Sequence, residues 1–135
     1  MSQQPARPYR ILVTGSRDWT DEQLIRRALE AAWTEQDSDR LLVIVHGACP
    51  TGADAHASRF VADCHAYGHT TVTEEPHPAD WKRNGRAAGP LRNAAMVTAG
   101  ADLCLAFIRN RSRGATGCAN TAERFGIPTR RWEET

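Results

Sequence analysis

The chain has 135 residues, 41% hydrophobic and 24% charged, with 10 glycines and 7 prolines. These are the proportions of one globular domain and exclude a fibrous or wholly disordered chain. Seventeen Lys and Arg against sixteen Asp and Glu leave a formal charge of +1, which speaks against a protein that grips nucleic acid over its whole surface.

In chain order, Arg10-Ile-Leu-Val-Thr14 is a short apolar run ending at Gly15, the pattern of a buried parallel strand. Leu24, Ile25, Ala28, Leu29, Ala32 and Trp33 then recur at helical spacing, with Thr20 as the expected N-cap and Gln23 as its capping-box partner. Residues 41–45 form a second apolar run, leading into Gly47. Ala53, Ala57, Phe60, Val61 and Cys64 mark one face of a second helix, and residues 70–74 read as strand. A third helix is expected over residues 86–99, with Pro90 marking either a break or the first turn. Residues 101–108 read as strand, a last helix runs from about Gly117, and residues 127–132 close the pattern. Gly68, Gly100 and Gly126 each end a helix just before a strand.

Five strands alternating with four helices predict an α/β fold, a Rossmann-like doubly wound parallel sheet covered on both faces. Residues 1–8 read as a flexible N-terminal segment and 9–135 as the single domain. No apolar run nears the roughly 20 residues of a membrane span. The start lacks the apolar core of a signal peptide, so a cytoplasmic protein is expected.

The unusual residues lie in the loops that leave the strand C-termini, where open α/β sheets bind their ligands. These are Gly15-Ser-Arg-Asp-Trp19, His46-Gly-Ala-Cys-Pro-Thr-Gly-Ala-Asp54, His77-Pro-Ala-Asp-Trp81 and Asn110-Arg-Ser-Arg-Gly-Ala-Thr-Gly117. Residues 81–122 carry seven Lys and Arg but one acid, Asp102, while the other 93 residues carry 10 bases and 15 acids. A basic zone joined to glycine-rich loops points to a phosphate or another anion.

The first loop lacks the second glycine of a dinucleotide fingerprint. Gly47-Ala-Cys-Pro-Thr-Gly52 has the glycine spacing of a Walker A loop, but Ala53-Asp54 replaces the lysine and the Mg²⁺ ligand. Thr51 and Asp54 suit a cap on the second helix, and Asp54 equally suits a ligand hydroxyl or an arginine. Cys49, Cys64, Cys104 and Cys118 form no Cys-x-x-Cys pair and are expected as reduced thiols, with Cys64 and Cys104 on apolar faces. The five histidines form no metal set, and neither a metal nor a cofactor is expected.

Together with Ile11-Leu-Val-Thr-Gly-Ser-Arg-Asp-Trp19, Gly85-Arg-Ala-Ala-Gly-Pro-Leu-Arg-Asn93 and Ser112-Arg-Gly-Ala-Thr116, these loops resemble the YspA, cpYpsA-related SLOG family over residues 9 to 131. Its superfamily also holds the LOG phosphoribohydrolases, which release a base from a nucleoside 5′-monophosphate, and the DNA-processing protein DprA. The resemblance implies a Rossmann-like sheet that binds a nucleotide or nucleotide-derived ligand as a sensor or accessory. LOG enzymes carry a Pro-Gly-Gly-x-Gly-Thr-x-x-Glu loop with a catalytic glutamate, and an arginine on the preceding helix. Arg92 resembles that arginine, and Arg113-Gly114-Ala115, with Thr116 beside it, resembles the phosphate loop. The glutamate position falls near Cys118, and the next acid, Glu123, lies more than a helical turn later.

The expected ligand site comprises Gly15, Ser16, Arg17, Gly47, Thr51, Gly52, Asp54, Trp81, Arg86, Arg92, Asn93, Ser112, Arg113, Gly114, Ala115 and Thr116. In it, backbone N–H groups of residues 15–17 and 112–116 hold phosphate, Arg17, Arg86 and Arg92 add charge, and Trp81 or Trp19 stacks on a base. The alternative is a LOG-like N-glycosidic hydrolase acting on a nucleotide, with Arg92 in support and Asp80, then Asp54, as its carboxylate. A homodimer is expected; a membrane or nucleic-acid partner is not.

Overall fold

The computed structural model describes residues 7–36 and 40–135. Strands β1 (Tyr9–Gly15), β2 (Leu42–His46), β3 (Val72–Pro76), β4 (Leu103–Arg109) and β5 (Thr129–Glu134) form one sheet. All four pairings are parallel and the order is β3-β2-β1-β4-β5. The connections contain α1 (Glu22–Thr34), α2 (Gly52–Ala66), α3 (Trp81–Asn84), α4 (Ala88–Ala99) and α5 (Arg113–Arg124). This is the Rossmann-like arrangement expected from the alternation of patterns.

The central strands read as unbroken apolar runs because both of their faces are covered. Ile11, Val13, Leu105 and Phe107 pack with Ile25 and Leu29 of α1 and Ala57 and Phe60 of α2. On the opposite face, Leu12 and Cys104 meet Met96 and Val97 of α4 and Cys118 and Ala122 of α5. Burying side chains of this size stabilises the fold by roughly 1.5–3 kcal/mol each. On the edge strand β3 only Val72 is buried.

Strands β3, β4 and β5 each begin two residues later than expected, and the helix boundaries differ in three places. The N-cap of α1 is Asp21, whose carboxylate accepts from the Leu24 N–H at 3.1 Å, because a carboxylate one residue later reaches the first free donors. Thr20 lies instead beside Glu134. The third helical pattern divides into α3, a 3₁₀ turn at Gly85–Ala87, and α4, with Pro90 in the first turn of α4. A proline there removes no helical hydrogen bond. The last helix starts at Arg113, four residues before Gly117, with Ser112 as its N-cap. The expected flexible segment falls outside the described residues up to position 6, and Arg7 is held by Asp102 at 2.7 Å.

β1 lies in the middle of the order, and its two neighbours, β2 and β4, lead the chain toward opposite edges. Between β1 and β4 the connections part to opposite faces, which opens a crevice at the carboxyl ends of those strands. Among the described residues no helix is long and apolar enough to cross a membrane.

Candidate functional site

That crevice holds a cavity of about 660 Å³. The end of β1, the loop before α2, α3, α4 and the start of α5 all contribute to its wall. Gly15, Ser16, Arg17, Gly47, Asp54, Trp81, Arg92, Asn93 and the run 112–115 line it. Thr51, Gly52, Asp80, Arg86 and Thr116 do not.

Ser16 works as a clasp between strands. Its N–H donates to the Phe107 carbonyl at 2.9 Å, and its hydroxyl accepts from the Arg109 N–H at 2.8 Å. Of the residues 15–17 expected to hold phosphate, Ser16 therefore has neither group free. The Arg17 N–H has no partner among the described residues. Gly52 is a packing residue: with φ at +71° it lies under this loop, and a Cβ there would stand 2.6 Å from the Arg17 carbonyl carbon. Its neighbour Ala53 donates to the Ser16 carbonyl at 3.2 Å. The N-terminus of α2 is thus closed by protein, and Thr51, its N-cap by position, makes no side-chain cap bond.

The N-terminus of α5 is open. The Ser112 hydroxyl accepts from the Ala115 N–H, and the Thr116 N–H donates to the Ser112 carbonyl. The N–H groups of Arg113 and Gly114 have no partner among the described residues, and both residues line the cavity. Free donors at the positive end of a helix dipole suit an anion.

Arg92 joins two loops. Its Nη1 donates to the carbonyls of Gly47 and His77, and its Nε to Asn93 Oδ1 at 2.7 Å. Nη2 has no partner among the described residues. Opposite it, Asp54 is 7% exposed and accepts from the Cys49 N–H at 3.2 Å. Burial pushes its carboxyl above the usual carboxylate range, against the pull of the Cys49 N–H, His46 and Arg92. Gly47 separates these two charged groups. A Cβ there would lie 2.6 Å from the Arg92 Cζ and 2.9 Å from Asp54 Oδ2, so only glycine leaves both side chains in place.

The two tryptophans part company. Trp19 is 3% exposed, donates its indole N–H to the Asp21 carbonyl, and packs edge-on against Phe107. It belongs to the core and stacks on no ligand. Trp81 is half exposed, lines the cavity, and has the Arg17 guanidinium 5.2 Å over its ring. Arg86 is exposed on the 3₁₀ turn, away from the wall. Asp80 caps α3 by accepting from the Arg83 N–H at 3.1 Å.

The family model described as YspA, cpYpsA-related SLOG matches residues 9–84. The chain belongs to this family. The match runs from β1 to the end of α3, shorter than the resemblance read from the motifs. A curated relative, the Gene 61 protein of Mycobacterium phage D29, is 45% identical over 119 residues, covering 88% of this chain and 92% of its own. No solved structure matches the chain.

In this SLOG protein, Cys118 stands on the cavity wall where the LOG resemblance puts a glutamate, and burial pushes its thiol up. Glu123 is turned away and held by Arg131 at 3.0 Å. Asp18 and Asp54 are the carboxylates in the wall. Wall residues outside the expected ligand site are Val13, Thr14, Asp18, Gly89, Pro90, Ala94, Met96, Gly117, Cys118, Thr121 and Arg124, six of them within the quoted motifs. On α5, the wall residues 114, 117, 121 and 124 follow helical spacing, which becomes legible only once the helix is known to start at Arg113. Among the described residues no group of three His, Cys, Asp or Glu is placed to hold a metal ion.

Proposed function

We propose that this SLOG protein binds a nucleotide or nucleotide-derived ligand in the cavity at the carboxyl edge of the sheet. One observation carries the reading. The free N–H groups opening α5, the unpartnered Nη2 of Arg92 and the half-exposed ring of Trp81 belong to one cavity wall. The α5 terminus and Arg113 suit a phosphate, Arg92 adds a directed cation, and Trp81 offers a flat apolar face for a base. Asp54 accepts a ribose hydroxyl.

Asp54 also favours a second reading, cleavage of an N-glycosidic bond. A buried carboxylate beside an arginine suits the oxocarbenium charge such a cleavage develops. Asp54 takes precedence over Asp80, whose carboxylate caps α3 outside the wall.

A proton NMR time course with AMP, GMP, CMP, UMP, NAD and ADP-ribose separates these readings. Selective line broadening without new resonances is the outcome expected of a binding protein. New base or ribose-phosphate signals that vanish in Asp54→Asn would establish the hydrolase instead. No broadening and no new signal across the panel would overturn the nucleotide reading.

A further inference from the structure

The cavity continues past the phosphate-suited end of α5 into a groove between α4 and α5. Buried Met96 and Cys118, with Ala94, Gly117, Thr121 and Arg124, line this part of it. From Gly114 to Arg124 it runs about 15 Å along α5, at ~1.5 Å per residue. Glycine is a poor helix former, yet Gly117 lies within α5 and no internal packing calls for it. A Cβ at Gly114 or Gly117 meets no atom within 4 Å. The missing side chains keep open a space that the rest of the chain does not fill.

We propose that this groove takes the second unit of a two-nucleoside ligand joined through phosphate. The assignment rests on the nucleotide reading above and names the ligand class. One base lies on Trp81, the linking phosphate at the free N–H groups of Arg113 and Gly114, and the second nucleoside along the apolar lining toward Arg124. Three features argue for this occupant: continuity with the anion-suited end, an apolar lining for a ring system, and a terminal cation. Arg124 has no ion pair among the described residues.

Isothermal titration of the full chain with AMP, NAD and the 5′-phosphorylated dinucleotide pApA tests this. At least one of the two-unit ligands binds tenfold or more tightly than AMP, and which one does so tells a pyrophosphate link from a phosphodiester. Gly117→Leu fills the groove while improving helix propensity, and Arg124→Glu reverses the terminal charge without touching the core. Each variant lowers affinity for the preferred two-unit ligand fivefold or more and leaves AMP affinity within twofold. Equal affinity for AMP and both two-unit ligands in the unmodified protein overturns the proposal and leaves the nucleotide reading standing. So does an equal loss of AMP and two-unit binding in Gly117→Leu. A dimer in sedimentation that Gly117→Leu turns into monomer assigns the groove to a second copy and likewise overturns it. Binding of none of the three overturns both readings.

Discussion

Two glycines of one loop show how differently the same residue type can act. Gly47 has an ordinary backbone, and what forbids a side chain there is the meeting of Arg92 and Asp54. Both are side-chain ends that can swing away, so Gly47→Ala keeps the fold and displaces two groups that line the cavity. The expected result is a melting temperature within a few degrees of the parent and nucleotide affinity reduced tenfold or more, read by thermal melting and calorimetry. Gly52 has φ at +71° and lies against backbone. Gly52→Ala adds a strained conformation to an overpacked contact and costs about 2 kcal/mol or more in urea unfolding. At this scale the motifs found Gly47, Asp54, Arg92 and Trp81 but did not reveal what each touches. Ser16 and Trp19 stand in the same motif as Arg17, yet burial turns one into a strand clasp and the other into core.

Among the elements, β3 is tied to the sheet by charge as well as by its ladder. Arg10 of β1 reaches across β2 to Glu75 with two hydrogen bonds, at 2.9 and 2.8 Å, and His77 approaches the same carboxylate at 2.8 Å. Arg10, then His77, holds the Glu75 carboxyl down at about 2, against an ordinary 4.5. A lowered folded-state value contributes stability that is present above about 4.5 and is lost as pH falls toward 2. With 38% of the Glu75 side chain exposed, solvent screening holds the contribution to about 1 kcal/mol. Urea midpoints measured from pH 7 to pH 2.5 should fall across this window, and Glu75→Gln should start lower and fall less steeply. A strand near β3 was readable, at 70–74 against Val72–Pro76, but the partner of Glu75, Arg10, 65 residues away, was not, since no local pattern encodes a bond across an intervening strand. The early start of α5 was hidden for a local reason: Arg113-Gly-Ala-Thr-Gly117 is a weak helix former whose first turn depends on the Ser112 cap.

Over the whole molecule, charge is sorted by place. Arg7, Arg10, Arg26, Arg59, Arg130 and Arg131 pair with acids across the body of the domain. Arg17, Lys82, Arg83, Arg86, Arg111 and Arg113, all in or beside loops at the carboxyl edge, have no ion pair among the described residues. A near-neutral chain thus carries unpaired cations along its carboxyl edge, two of them, Arg17 and Arg113, on the cavity wall, and association of the proposed nucleotide should slow as salt is raised. The thiols report the packing of the same body. Cys64, Cys104 and Cys118 are buried, and burial pushes Cys104 up to about 12, whereas Cys49 is half-buried in the loop before α2. Ellman's reagent at pH 8 should modify one thiol rapidly in the folded protein and all four in guanidinium; a single fast thiol that persists in Cys49→Ser would contradict this packing.

The sequence by itself determined the alternation of five strands with helices and the placing of its unusual chemistry at one edge. Those features are carried by local signals: apolar runs, helical spacing, and glycines at helix ends. The strand order and the sharing of one cavity by distant loops were decided by the tertiary structure. Placing β4 beside β1 brings Ser112 to Ala115 into the same cavity wall as Gly15 and Arg17, and α4 beside α5 adds Ala94, Met96 and Gly117 to it. Both depend on pairing and burial between residues far apart in the chain. Asp80 and Asp54 are alike as letters in a motif, and only that assembly makes one a helix cap at the surface and the other a buried carboxyl facing the cavity.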